Sequence, residues 1–222
     1  MIEINKLVRS KRKTLALIVE SDGRLTVRAP LRMKDDDIRQ FVMEKEKWIK
    51  RKQAKVRKDS IRPRAYVDGE TFPYLGKDYP LQIVSSQKPA LVLNQSFKLS
   101  KGALENAESE FVEWYKKQAR DVFPARVSYY AEKHDFEVKK IRISSAHTRW
   151  GSCSSRGTLS FTWKLVLAPL EVLDYVVVHE LCHLHELNHS RMYWALVEDI
   201  LPDYKAHRAW LKKHGGRLRL MW

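Results

Sequence analysis

Cysteine is scarce. Cys153 and Cys182 are the only two in 222 residues, too few to staple a disulfide-rich secreted scaffold. Long apolar runs are missing as well: the longest, around Val176–Val178, falls far short of the ~20 residues a membrane span needs. Behind the basic residues of the opening MIEINKLVRSKRK there is no apolar segment, so no signal peptide is read there. The sequence contains no internal repeat, no low-complexity linker and no Walker-type phosphate loop. These absences predict a soluble protein of a reducing compartment, with the cytoplasm as its expected location and no membrane partner.

Acids are the minority charge. Against 42 Lys+Arg stand 27 Asp+Glu, a formal net charge of +15, and such a surface attracts polyanions. With 44% hydrophobic and 10% aromatic residues the chain can bury a real core, and its length corresponds to one or two domains. The excess is concentrated in Lys45–Arg64, where ten basic residues meet only Glu46 and Asp59. That run reads either as a solvated helix face or as a face for nucleic acid. Beyond Tyr204 there is no acid, while Lys205, Arg208, Lys212, Lys213, Arg217 and Arg219 follow, making a second basic segment.

Alternation in Thr14–Glu20 and Arg24–Ala29 around Ser21-Asp22-Gly23 predicts a hairpin. Met33–Lys58 predicts a helix: Asp35, Asp36 and Asp37 suit its N-terminus, and Ile38, Phe41, Val42, Lys45, Trp48 and Ile49 form a stripe at helical spacing. Trp48, on that stripe, is read as core. Ile61-Arg62-Pro63 stops the helix. Short strands are expected across Ala65–Leu99, then a helix from Ala103 that Pro124 breaks or restarts, strands at Ile141–Ser144 and Gly157–Leu167, and a helix from Pro169 to about Asn188 followed by two short ones.

The sharpest signal is His179-Glu180-Leu181-Cys182-His183. Histidines four apart leave a helix on one face, close enough to share a Zn²⁺. The intervening glutamate lies beside the metal and can take a proton from a metal-bound water. His189, ten residues after His179, completes a three-imidazole set with a fourth position open to water, provided the helix ends between. Asn188 suits that ending and Ser190 suits the cap of a following helix Arg191–Ile200. Glu198 is the alternative third ligand. Glu186 and Asp174 read either as groups that orient ligand imidazoles or as ordinary surface acids, His185 as surface, Cys182 as a small buried residue, and His134 and His214 as structural. Upstream, Arg149, Ser152 and Ser154 in HTRWGSCS are candidate substrate-binding residues beside an edge strand, or members of a packed hairpin with Trp150 in the core and Gly151 permitting the turn.

The segment RWGSCSSRGTLSFTWKLVLAPLEVLDYVVVHELCHLHELNHSRMYWALV, with its RWGSC, HELxH and NHSxxxW motifs, resembles the YgjP-like metal-dependent hydrolase family, related to the SprT/Spartan and WLM zinc proteases. KRKTLALIV, FVMEKEKWI and DYKAHRAWLKKHGG extend the likeness over the chain. The resemblance implies an α+β fold: a zincin-like catalytic domain, small sheet plus HExxH helix, at 101–222, behind a β-rich N-terminal region at 1–100 that carries the basic helix about 34–58. It implies His179, His183 and His189 as zinc ligands and Glu180 as the catalytic acid/base. Glu186 stands where the metzincins, which share the ten-residue spacing, carry Gly, and no Met-turn is present.

Three functions are expected. The first is a zinc metallopeptidase acting on peptide or protein substrates, with Glu180 activating a zinc-bound water. The second is a nucleoside triphosphate (UTP) pyrophosphatase at the same site, with Mg²⁺ or Mn²⁺ on the triphosphate. The third is a nucleic-acid- or other polyanion-binding protein with a vestigial site, against which the intact ligands and Glu180 argue.

Overall fold

The computed structural model describes residues 2–20, 22–59 and 64–222. Ser21 of the expected turn and the Ile61-Arg62-Pro63 stop lie outside the described residues. Packing divides the chain into two compact units, residues 1–62 and residues 63–220 with Trp222. The strands of 71–100 lie in the second unit, where they pack with the helix Ala107–Lys133 and the 3₁₀ turns Lys101–Asn106 and Trp163–Leu167.

In the first unit, β1 (Lys6–Ser10), β2 (Ala16–Val19) and β3 (Leu25–Pro30) form a sheet with β3 in the centre. β3 pairs parallel with β1 and antiparallel with β2. Gly23, at φ +86°, closes the β2–β3 turn in a conformation that favours glycine. Helices α1 (Asp35–Glu44) and α2 (Glu46–Asp59) come next. Leu25, Val27 and Ala29 of β3 form a core with Ile38, Val42 and Ile49, and Trp48 packs on it as its stripe position predicts. The expected single helix is interrupted at Lys45 (φ −94°, ψ 9°). Backbone bonds Lys45 N–H to Phe41 O (3.1 Å) and Ile49 N–H to Lys45 O (2.9 Å) still cross the junction. A one-residue relaxation of this kind has no Gly or Pro to announce it.

The second unit opens with β4 (Thr71–Tyr74), β5 (Lys77–Val84), β6 (Leu91–Leu93) and β7 (Phe97–Ser100), in the spatial order β4-β5-β7-β6. Helix α3 (Ala107–Lys133) buries Phe111, Tyr115, Ala119, Phe123, Val127 and Tyr130, an unbroken row at three-to-four spacing. It runs through Pro124 instead of breaking there. The ring forfeits one helical hydrogen bond, and burial of Phe123 and Val127 on either side offsets that loss. A second sheet, β8 (Lys140–Ser144), β9 (Gly151–Cys153) and β10 (Thr158–Thr162), has β10 central, parallel to β8 and antiparallel to β9.

Two expected elements end early. The strand read as Gly157–Leu167 stops at Thr162, and Trp163–Leu167 is a 3₁₀ turn. Its Lys164 turns inward, donating to the carbonyls of Arg219 (2.7 Å) and Trp222. The helix read as reaching Asn188 is α4 (Leu170–Cys182). Past Cys182 the bonding tightens: the N–H groups of Leu184 and His185 turn back only three residues, to Leu181 O (2.9 Å) and Cys182 O (3.2 Å), the 3₁₀ pattern in which helices commonly end. α4 is buried along almost its whole length, packed among α3, β9, α5 (Arg191–Ile200) and α6 (Tyr204–Leu220). Among the described residues no helix is long and apolar enough to cross a membrane.

Candidate metal centre

Helix α4 is a rigid rod because the core surrounds it: Val172, Leu173, Val176, Val177, Val178 and Leu181 are all buried. Its last turn carries His179, and His183 caps it. The chain then reverses through residues 184–189 and starts α5, where Ser190 Oγ accepts the N–H of Tyr193 at 3.1 Å, the expected N-cap. This reversal returns His189 to the end of α4. The three imidazoles meet there: ring centroids lie 5.0 Å apart for His179–His183, 5.0 Å for His179–His189 and 4.7 Å for His183–His189. One nitrogen from each falls within 4.8 Å of the others.

The donor set fits a cation. His179 Nε2 and His189 Nε2 face each other at 3.2 Å; two nitrogens bound at about 2.0–2.1 Å to one tetrahedral zinc stand about 3.3 Å apart. His183 Nδ1 lies 3.0 Å from the backbone carbonyl of Glu186. A carbonyl only accepts, so Nδ1 carries the proton and Nε2 keeps its lone pair for a ligand. Burial, with the neighbouring His183 and His189 next, pushes the pKa of His179 down to about 3, and burial lowers that of His189. Neutral imidazole is the form that binds metal.

Glu180 is buried, 5% exposed, on the same turn. Burial raises its pKa to about 7, opposed by the charge of Arg149. Its carboxylate lies against β9: a Cβ added at Gly151 would meet Glu180 Oε1 at 2.5 Å and Cγ at 2.6 Å. Gly151 is therefore an in-strand residue facing Phe161, and it is needed for close approach to Glu180 instead of for a turn. With Gly151→Ala we expect the added methyl to displace the carboxylate while the imidazoles stay in place. Metal content should be unchanged, which elemental analysis of wild type and variant checks.

The other sequence candidates separate. Arg149 is exposed in the loop before β9, Ser152 pairs with Ser160 within the sheet, and Ser154 Oγ accepts the N–H of Thr158 at 3.1 Å, closing the β9–β10 turn. Glu198 is outside the histidine cluster and pairs with Lys205 at 2.7 Å. Asp174 does not orient a ligand: Arg126 of α3 holds it with two hydrogen bonds of 2.6 and 2.7 Å. Glu186 acts through its backbone carbonyl, not its carboxylate. His185 packs on Phe136 (centroids 4.9 Å), and Cys182 is buried, its thiol pushed up to about 12. Arg64, at the end of the basic run, is no free charge: it pairs with Glu70 and stacks over Phe72 at 4.4 Å. Tyr193 escapes the sequence reading entirely. Its hydroxyl lies 2.7 Å from His179 Nδ1 and 2.9 Å from His179 O.

The family profile described as YgjP-like, metallopeptidase domain, matches residues 13–214. The chain belongs to the YgjP-like family. Membership makes it a metal-dependent hydrolase of the metallopeptidase kind, and the histidine cluster is where its described residues could hold the ion. No curated protein and no solved structure matches the YgjP-like chain.

Proposed function

We propose that this YgjP-like chain is a zinc-dependent peptidase, with His179, His183 and His189 as the metal ligands and Glu180 as the acid/base. The observation that carries the reading is the meeting of three imidazole nitrogens within 4.8 Å at the end of the helix that also buries Glu180 under Gly151. Three nitrogen ligands and an open position are the pattern of a catalytic zinc; a structural one is closed by four protein ligands. A bound zinc ion supplies Lewis acidity, polarising the scissile carbonyl and making water acidic near neutral pH. Glu180 takes the proton from the attacking water and returns it to the leaving amine. Among the described residues β9 pairs with β10 on one side only, so its other edge offers backbone donors and acceptors to an extended peptide. Arg149 and Ser152 stand on or next to that edge as substrate contacts, and Ser154 at its end.

A groove beside the centre favours a second reading. Arg191, Trp194, Tyr204 and Arg208 line it together with Ala195 and Glu198, and Trp194 stacks on His189 with centroids 5.5 Å apart. Two arginines and an aromatic plate also suit a nucleoside triphosphate such as UTP, with Mg²⁺ or Mn²⁺ on its phosphates. The test is a pair of assays on zinc-loaded protein, with and without chelator: cleavage of a mixed peptide library followed by mass spectrometry, and pyrophosphate release from UTP. Chelator-sensitive peptide cleavage without pyrophosphate release is expected. Pyrophosphate release alone would move the site to nucleotide chemistry.

A further inference from the structure

Tyr193 is buried to 0% exposure, and its ring touches every imidazole of the cluster. It stacks on His183 (centroids 4.6 Å, 27°) and meets His189 (4.8 Å, 74°) and His179 (5.4 Å, 80°) edge to face. The Ser190 cap on its backbone N–H fixes where the side chain leaves α5. Its hydroxyl makes two contacts with one residue: 2.9 Å to the carbonyl of His179 and 2.7 Å to Nδ1 of the same histidine.

The proton count on that hydroxyl decides the state of the ring. A tyrosine hydroxyl has one hydrogen to give and lone pairs with which to accept. The His179 carbonyl can only accept, and it lies in the last turn of α4, where helical carbonyls run out of intrahelical partners. The N–H of the capping His183 is directed to Leu181 O instead. The hydroxyl hydrogen is thus committed to the carbonyl. Its second contact is then satisfied only if His179 Nδ1 carries a hydrogen and donates it to the hydroxyl oxygen. A neutral ring protonated at Nδ1 is bare at Nε2, the nitrogen that faces His189 Nε2 at 3.2 Å.

We propose that Tyr193 is the positioning residue of the metal centre: by donating to the His179 carbonyl and accepting from His179 Nδ1–H, it locks that ring in the tautomer and orientation whose Nε2 is ready for the ion. The inference rests on the three-histidine reading above. It gives the cluster the same device twice by different means, since a backbone carbonyl does for His183 what a tyrosine hydroxyl does for His179. Hydrogen-bond partners behind metal-binding histidines contribute about 10- to 100-fold to affinity, and that is the size expected here.

The test has two readouts. In the metal-free wild-type protein, long-range ¹⁵N–¹H spectra of the histidines should show His179 protonated at Nδ1, and in Tyr193→Phe the ring should shift towards the Nε2–H form. Chelator competition should then give Tyr193→Phe a zinc affinity about 10- to 100-fold weaker. Val197→Ala, a buried apolar change on the same helix, serves as the control for general loosening and should leave zinc affinity at the wild-type value. His179 carrying its proton on Nε2 in the wild type, or equal zinc affinity in wild type and Tyr193→Phe, overturns the proposal alone. A wild-type chain that takes up no zinc overturns the metal reading and this proposal with it.

Discussion

His189→Ala is expected to empty the metal site while leaving the fold in place. His189 is the exposed member of the cluster, supplied by the turn after α4, so its side chain adds little to the core. Truncation at such a position ordinarily changes stability by no more than about 0.5 kcal/mol. Its nitrogen, however, is one of three that face the shared point. If the groups behind the ligands are worth about 10- to 100-fold, a ligand itself is worth more, and zinc affinity should fall by over about 100-fold. Purified variant should carry far less than one zinc per chain, show no hydrolysis, and unfold at nearly the temperature of the metal-stripped wild type. Retention of both zinc and turnover would remove His189 from the ligand set and bring Glu198 back into consideration.

Glu180→Gln is expected to separate binding from chemistry. The amide has the shape of the carboxylate, so the packing under Gly151 survives, but it accepts no proton from water. Zinc content should stay at the wild-type level and turnover should fall by about 10²- to 10⁴-fold, the range of a positioned general base. The same substitution has a stability signature in the metal-free protein. Glu180 titrates at about 7 when folded, against 4.5 for an ordinary glutamate, because burial disfavours its charge. Between those values the folded chain holds a proton that the unfolded chain has lost. Stability therefore falls as pH rises from about 4.5 to about 7 and is flat above, with a total of roughly 1–3 kcal/mol. Glu180→Gln removes that slope, so denaturant unfolding at pH 5 and pH 8 should differ less for the variant than for the wild type. The site thus keeps a carboxylate that costs the empty protein stability, as groups retained for activity often do.

The parts of the fold and of the centre that were legible from sequence are those set by short spacings. His179 and His183 are one helical turn apart, so any helix puts them on one face; Ser190 is a good cap wherever it starts a helix; Trp48 sits on an apolar stripe. What could not be read depends on partners distant in sequence or on backbone detail. Asp174 passes for a metal-orienting acid until Arg126, 48 residues away, is seen to occupy it with two hydrogen bonds. HELCHLHELN has neither Gly nor Pro, so nothing in it marks an end at Cys182. Gly151 passes for a turn residue because glycine usually is one; only the approach of Glu180 across from α4 gives it another reason. Pro124 passes for a helix breaker because the sequence does not show how much apolar surface holds α3 straight. Tyr193 carries no signal in the sequence, since the polar end of its side chain matters only after the turn has folded His189 and α5 back onto α4.

The central claim is a single metal ion whose protein ligands are three imidazole nitrogens at the end of α4. X-ray absorption at the zinc edge, on wild-type protein whose metal content has been measured, tests it most directly. The account predicts about one zinc per chain with three imidazole nitrogens at about 2.0–2.1 Å and no sulfur neighbour. Protein that takes up no zinc, or a sulfur shell at about 2.3 Å that would place the ion on Cys153 or Cys182, would contradict it.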